Sequence, residues 1–569
     1  MTTASHCERL GLNMAEGGHD VAVESEGSPY RPAPRRSETV ATIFRSRFPE
    51  PFIPDQELSA FVLASAGDHL DRPALIDAAS GRRLSYGDLH AQVDRFAGGL
   101  AQLGVGKGEV VAILLPNMPE YAVVFFGIAR AGAVSTTLNP TYTEREIAAQ
   151  LADSGASVVI TTPDCIDKTR PSGGPDVRLV VLDEPSGDAI GFDDLLSAAG
   201  PAPAIDIDPA QDLATLPYSS GTTGLPKGVL LTHRNLVANA VQCGPFYTGP
   251  DDVVLAVAPF FHIMGMAVAL VGGLCRGATL VTMPRFDFEQ FLRAIEHHRV
   301  TSTVVAPPIT VALAKHPLVD GHDLSSLRLL TSGGAPLGAQ VQQACAARLG
   351  CRTAQGWGMT ELAGAGSVSP PDNAADKPGT VGWCVAGAEM RIVDPASGAD
   401  VGVGQLGELW FRGPNVMKGY LHNAEATAAT IIDDGWCRTG DVGHVDADGF
   451  VQIVDRLKEL IKYKGYHVAP AELEAVLISH PLIADAAVIA SPDEEAGEVP
   501  KAFLVLKDEA ADRESVATEV IAYLAERVAP YKRVRRYEFI EAIPRTPSGK
   551  IVRRGLMERE RLAAHTIHG

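Results

Sequence analysis

The stretch ATLPYSSGTTGLPKGVLLTH, Ala214 to His233, decides how this chain is read. Apolar runs flank the loop SSGTTGLPKG, Ser219 to Gly228, in which hydroxyl side chains and glycines surround a lysine. A Walker-type phosphate loop carries Gly directly before its Lys and Ser or Thr directly after it. Here Pro226 precedes Lys227 and Gly228 follows it. Proline lacks an N–H and fixes φ, so Lys227 cannot sit in the first turn of a helix as a Walker lysine does. The spacing therefore predicts strand, mobile loop, strand, and then a helix for which Thr232 is the N-cap. Gly221 and Gly224 permit positive φ and close backbone approach. Ser219, Ser220, Thr222 and Thr223 offer hydroxyl donors, and Lys227 offers a point charge for a β- or γ-phosphate. The competing reading is a surface hairpin rich in turn residues.

On both sides of the loop, strands alternate with helices. LSYGDLHAQVDRFAGGLAQLG (Leu84–Gly104) places Leu89, Val93, Phe96, Leu100 and Leu103 at helical spacing, and Gly104 stops it. VVAILLP reads as a buried strand with a helix over PEYAVVFFGIARAG behind it. The cycle repeats through VVITT, and again through ATLVTMP, FDFEQFLRAIEHHR and STVVAPP. This alternation implies α/β layers with largely parallel sheets. After about Asp455 a shorter pattern follows, AELEAVLISHP, DAAVIASP, KAFLVLKD, VATEVIAYLAERV and RRYEFIEAIP, enough for a compact α+β domain. The Lys-rich junction DRLKELIKYKG (Asp455–Gly465) makes relative motion of that domain the expectation. Three parts result: a disordered tail over 1–37, a large multi-subdomain body over 38–456, and a small mobile domain over 457–569.

Composition narrows the function. With 49 Lys and Arg against 69 Asp and Glu, the net charge of −20 argues against a general nucleic-acid binder. Eight Cys lie scattered, with no Cys-x-x-Cys pair, which predicts buried reduced thiols rather than a zinc site or a disulfide framework. Residues 1–37 lack the apolar core of a secretory signal, no apolar run approaches a membrane span, and HTIHG is not a peroxisomal address. The expectation is a cytoplasmic protein without an integral membrane segment.

Six motifs stand in order: YSSGTTGLPKGV, SGGAPLG (Ser332–Gly338), QGWGMTE (Gln355–Glu361), WCRTGDVG (Trp436–Gly443), VDRLKELIKYKGYHVAPAELE (Val454–Glu474) and PRTPSGKIVRR (Pro544–Arg554). Together they resemble the adenylate-forming acyl-CoA synthetase superfamily from about Phe44 to Arg554. FRSRFPEPFIP near the start and the junction resemble the 4-coumarate:CoA ligases within it. The resemblance implies a large N-terminal adenylation domain with a mobile C-terminal domain. It also implies the reaction: carboxylate and ATP give acyl-AMP and pyrophosphate, then CoA gives acyl-CoA and AMP, with Mg²⁺ as the metal. The partners are then small molecules: the acid, ATP and CoA.

The resemblance also assigns roles. Lys550 bridges carboxylate and phosphate; Glu361 holds Mg²⁺, which takes one or two carboxylates beside phosphate oxygens. Ser219, Ser220, Gly221, Thr222, Thr223 and Lys227 hold phosphates, and Thr360 reaches the α-phosphate. Trp357 with Gly334, Ala335 and Pro336 forms a flat slot for adenine, and Gln355 and Gly358 also bind the nucleotide. Trp357 stands where many coumarate ligases have Tyr. Asp441, an acceptor only, suits the ribose hydroxyls, and Arg456 adds a ribose or phosphate contact. Lys458 is the pivot about which the small domain turns between half-reactions. Lys464, Gly465 and Tyr466 then serve CoA, while Lys462 and His467 assist catalysis, His467 in place of a common Gln.

For the acid, His262 in PFFHIMGM (Pro259–Met266) borders the carboxylate and the thiol path. Met264, Val268, Thr331, Gly334, Gly356, Gly364 and Ala365 line the rest. Met264 replaces a Tyr that coumarate ligases use for the substrate phenol, and Thr331 replaces a frequent Lys. The pocket therefore reads as apolar and roomy, suited to cinnamate-type arylpropenoates or to medium and longer fatty acids. A P-loop phosphotransferase is disfavoured by Pro226, and a silent binding homologue by the presence of Lys550, Glu361 and Asp441 together. A luciferase-like oxygenase and a carrier-protein acyl-AMP ligase stay open within the superfamily.

Overall fold

The computed structural model describes residues 42–567, apart from 65–66, 68–69, 174–176, 185–186, 220–225, 244–248, 372–375, 465, 494 and 508–511. Among the described residues two large sheets form the body. In the first, Val110–Leu114 lies parallel between Val134–Thr137 and Val158–Thr161, with Arg178–Val181 beyond. In the second, Ser302–Val305 lies parallel between Val253–Ala256 and Leu329–Ser332, followed by Arg352–Met359. Apart from Arg352–Met359, which is part exposed at Gly356, Gly358 and Met359, these strands are buried on both faces, as parallel strands under helices must be.

The helical expectations are met with their caps. The helix Tyr86–Gln102 is closed by a capping box from Ser85 and Asp88, and Gly104 takes φ +76°. Pro119–Arg130 is buried except at Glu120 and Arg130, and its Phe125 and Phe126 share the largest core with Phe96. Thr232 does cap the helix His233–Cys243. Its Oγ1 accepts from the Asn235 N–H at 3.2 Å, and the Asn235 Oδ1 accepts from the Thr232 N–H at 3.0 Å.

A third sheet does not follow the βα alternation, because it is antiparallel throughout. Its strands Ile43–Arg45, Glu389–Val393, Gly407–Arg412, Trp436–Val445 and Val451–Arg456 join by antiparallel pairs. Beyond it, Ile461–Tyr463 pairs into a separate sheet with Tyr466–Val468, Ile483–Asp493, Gly497–Leu506 and Arg536–Phe539. Under that sheet the helices Pro470–Ser479 and Arg513–Arg527 enclose their own core of Leu473, Leu477, Val488, Leu504 and Val520. The seven described cysteines are all free, and six are buried. Residues 1–37, expected as a tail, lie outside the described residues. Among those described, no helix is long and apolar enough to cross a membrane.

Candidate active site

Tyr218–Ser219 pairs antiparallel with Lys227–Thr232, with Ser219 opposite Lys227. A strand on either side of residues 220–225 is therefore the observed frame. Ser220, Gly221, Thr222 and Thr223 lie outside the described residues. The other edge of Lys227–Thr232 pairs with Gly419–Tyr420, which brings Tyr420 opposite Val229. Asn235 reinforces this by donating to the carbonyls of Pro414 and Val416, both at 2.9 Å.

Three segments meet at Glu361. Its Oε1 accepts from the Ser219 hydroxyl at 3.0 Å and from the Tyr420 hydroxyl at 2.8 Å. Glu361 is only 6% exposed, so this carboxylate is held with little help from bulk water. Lys227 Nζ lies 4.9 Å from the centre of the Tyr420 ring, close enough for a cation–π contact. Burial and the Glu361 charge push the Tyr420 pKa well above its ordinary value, so the phenol donates rather than ionises. Tyr420 has no signature of its own in the sequence: MKGYL has no catalytic spacing, and only strand pairing carries it to the loop.

Behind Glu361, the strand Arg352–Met359 supplies the next wall. The Trp357 Nε1–H donates to Asp441 Oδ2 at 2.8 Å, and Arg456 Nε is 2.9 Å from the other oxygen. Asp441 and Arg456 face each other across a strand pair, so register alone places this ion pair. Gln355 spends its amide N–H groups on the Leu337 carbonyl and Gln342 Oε1, at 3.1 and 2.8 Å. Its part in the site is therefore to hold the turn Gly334–Leu337, where Gly334 takes φ +84°.

The loop carrying Lys550 enters from the small domain. Arg545 is tied to Asp485 at 2.8 Å, and the Lys550 N–H donates to Thr546 Oγ1 at 3.1 Å. Ser548 meets Gly334: a Cβ built on that glycine would lie 3.5 Å from the Ser548 carbonyl oxygen. Burial, then the Arg456 charge, lowers the Lys550 pKa, while Asp441 and Glu361 pull the other way. His262 faces the same space. Burial, with the Lys550 charge adding, pushes its pKa down to about 3, so at neutral pH the imidazole is uncharged. Its Nδ1 accepts from the Met264 N–H at 3.3 Å, which assigns the proton to Nε2.

These groups line two adjoining cavities of about 580 and 290 Å³. The larger collects Ser219, Lys227, His262, Thr360, Glu361 and Lys550. Its apolar end is made by Met264, Val268, Val304, Ala365 and Val368, with Gly356 and Gly364 leaving room. Thr331 also lines it, and the Thr331 Oγ1 is buried without a partner among the described residues. The smaller cavity lies over Gly334, Ala335, Pro336, Trp357, Gly358 and Asp441, and Arg456 and Lys550 border both.

Other expected residues are elsewhere. Lys458 borders the larger cavity, but Lys462, Lys464, Tyr466 and His467 stand on the exposed hairpin Ile461–Val468 and line neither. There Lys464, at φ +47°, pairs with Glu495, and Tyr466 stacks on Tyr531 with centroids 4.7 Å apart. Gly465 lies outside the described residues. Among the described residues no cluster of three His, Cys, Asp or Glu could hold a metal by protein ligands alone.

Comparison with known proteins agrees in extent. The AMP-binding enzyme family matches residues 62–421, and the AMP-binding enzyme C-terminal domain matches residues 472–550. The chain is 46% identical over 533 residues to 4-coumarate-CoA ligase 5 of Oryza sativa subsp. japonica, covering 92% of this chain and 98% of that one. It is 42% identical to 4-coumarate-CoA ligase 1 of Narcissus pseudonarcissus, covering 93% and 98%. Among solved structures, an anthranilate CoA ligase in complex with anthranoyl-AMP superposes with a TM-score of 0.83 at 29% identity, covering 91% and 99%. A benzoate CoA ligase from Burkholderia xenovorans LB400 gives 0.79 at 28%, covering 88% and 99%.

Proposed function

The chain belongs to the AMP-binding enzymes, and from that premise we propose that it is an ATP-dependent acid:CoA ligase acting on 4-coumarate-type arylpropenoic acids. One observation carries the reading: a single cavity gathers Lys227, Glu361, His262 and Lys550, two cations and a neutral imidazole around one carboxylate. In the first half-reaction a carboxylate oxygen of the acid attacks the α-phosphorus of ATP, and the bond to pyrophosphate breaks. Both reactants are anions, so the step needs preorganised cations and donors where charge concentrates. Lys550 supplies the charge between carboxylate and α-phosphate, and Lys227 serves the departing phosphates. The His262 Nε2–H, fixed as a donor by the Nδ1 contact, can meet the carboxylate. Trp357 and the Gly334–Pro336 turn flank adenine, and Asp441 with Arg456 takes the ribose.

The residues fit Mg²⁺ carried in with the nucleotide: Glu361 is a carboxylate on the cavity wall, and its two hydrogen bonds fall on one oxygen. When bound there, the ion neutralises phosphate charge. In the second half-reaction the CoA sulfur attacks the acyl carbon and AMP leaves. We assign this step to a second orientation of the domain over 457–569, reached by rotation at Lys458, which exchanges Lys550 for the hairpin bearing Lys462, Lys464 and His467. What supports the pivot is position: the body's last strand ends at Arg456 and the next sheet begins at Ile461. Free thiols throughout the described residues support a cytoplasmic setting.

The test is ATP–pyrophosphate exchange with cinnamate, 4-coumarate, ferulate, octanoate and palmitate, with thioester products identified by mass. Arylpropenoates are expected to lead, and palmitate far ahead of cinnamate refutes the substrate class. Lys550→Ala is expected to abolish exchange while supplied cinnamoyl-AMP is still converted by CoA.

A further inference from the structure

Lys550 reaches the cavity only because the small domain is seated on the body in one orientation, and a single helix of the body, Pro307–Lys315, marks both ends of that seat. At its start, a Cβ built on Gly549 would come within 2.5 Å of Ala306 Cβ, so the tip of the Lys550 loop rests directly against the helix entry. At its end, Lys315 Nζ donates to the Ile478 carbonyl at 2.7 Å. Ile478 lies in the last turn of the helix Pro470–Ser479, where carbonyls lack helical partners and a cation complements the dipole. Between the two ends, a Cβ built on Gly338 would lie 3.2 Å from Ala475 Cβ. Along nine residues the two contacts are separated by about 13 Å, enough leverage to fix a rotation rather than a point. Burial lowers the Lys315 pKa, with Lys507 of the small domain adding to the shift.

We propose that Lys315, outside the cavity, is a positioning residue for acyl-AMP formation: its bond to Ile478 sets how much of the protein presents Lys550. The proposal rests on the reading that Lys550 serves the first half-reaction and that the small domain reorients for the second. A bond made only in the first orientation favours it at the expense of the second, so losing the bond cannot slow the half-reaction that the second orientation serves.

The full-length chain with Lys315→Met, Lys315→Arg and, as reference, Lys550→Ala is assayed for cinnamate-dependent ATP–pyrophosphate exchange. Thioester formation from supplied cinnamoyl-AMP is measured separately. Lys315→Met is expected to slow exchange about three- to tenfold, the effect of an ordinary hydrogen bond, because water screens this half-exposed charge. Thioester formation stays at or above the parent rate, and Lys315→Arg restores most of the exchange. A second readout is independent of activity. Gly338→Cys with Ala475→Cys sets two thiols near disulfide distance, and their oxidation rate reports the occupancy of the seat. Adding Lys315→Met is expected to slow that cross-linking by a similar factor. Lys315→Met that leaves exchange and cross-linking unchanged, or lowers both half-reactions equally, overturns the proposal while Lys550→Ala still separates them. If Lys550→Ala itself fails to separate the half-reactions, the underlying reading falls, and the role of Lys315 in acyl-AMP formation falls with it.

Discussion

Replacing Tyr420 by Phe removes one oxygen from the site and little else. The ring stays, so the contact with Lys227 at 4.9 Å is retained, whereas the 2.8 Å bond to Glu361 is lost. A hydrogen bond to a charged group contributes about 1.5–3 kcal/mol net, and each 1.36 kcal/mol is about tenfold. The full range is therefore about 10- to 150-fold. Ser219 still donates to the same oxygen at 3.0 Å, so the expected loss lies near the lower end, about 10- to 30-fold. ATP–pyrophosphate exchange is measured over a range of Mg²⁺ concentrations. Because the bond orients the carboxylate proposed for the metal, half-saturation by Mg²⁺ is expected to move upward. Conversion of supplied acyl-AMP to thioester is expected to be unchanged. Tyr420→Leu, which also removes the ring under Lys227, is expected to lose about 0.5–2 kcal/mol more. A Phe variant with parental exchange and parental Mg²⁺ dependence refutes the reasoning, because a buried carboxylate stripped of a donor cannot be indifferent to it.

Trp357→Phe keeps an aromatic face but removes the donor to Asp441, which is 4% exposed. KM for ATP is expected to rise about tenfold, with kcat changing much less; initial rates at varied ATP decide it. Thr331→Val removes the polar atom at the apolar end of the cavity. The ratio of kcat/KM for 4-coumarate over cinnamate is expected to fall about five- to tenfold, and an unchanged ratio excludes a phenol contact there. Burial raises the Asp455 pKa to about 7 from 3.8. The folded state thus keeps this proton to higher pH than the unfolded chain, and this group's contribution to stability declines as pH rises from about 4 to about 7. Asp455→Asn is expected to flatten the fall of Tm over that window, and a profile parallel to the parent's shows that the group does not titrate there.

Local chemistry makes much of the fold readable. Pro226 excludes a helical lysine on covalent grounds alone, and the strand pair of Ser219 with Lys227 is the consequence. Apolar runs bounded by turns mark the parallel strands, because burial on both faces leaves a signal along the chain itself. Short motifs likewise locate Glu361, Trp357, Asp441 and Lys550, which the structure brings to the walls of the two cavities. The antiparallel sheet around Trp436–Arg456 is not legible in the same way, because its strands are of mixed composition and their burial does not alternate strictly, which leaves little periodic signal.

What the sequence by itself determined is the set of groups able to handle an anionic nucleotide and the two-part plan of the chain. Those follow from side-chain chemistry and from periodicity, both local. Only the tertiary structure decided which groups act together. Tyr420 reaches Glu361 through pairing with the edge of a strand far away in the chain, the Trp357 N–H finds Asp441 across 84 residues, and Lys315 meets Ile478 across 163. It also decided that Lys550 occupies the cavity and that Lys462, Lys464, Tyr466 and His467 stand outside it. Those outcomes depend on strand register and on how one folded body seats against another. Neither leaves a pattern along the chain, because the partners are chosen by packing rather than by neighbouring residues.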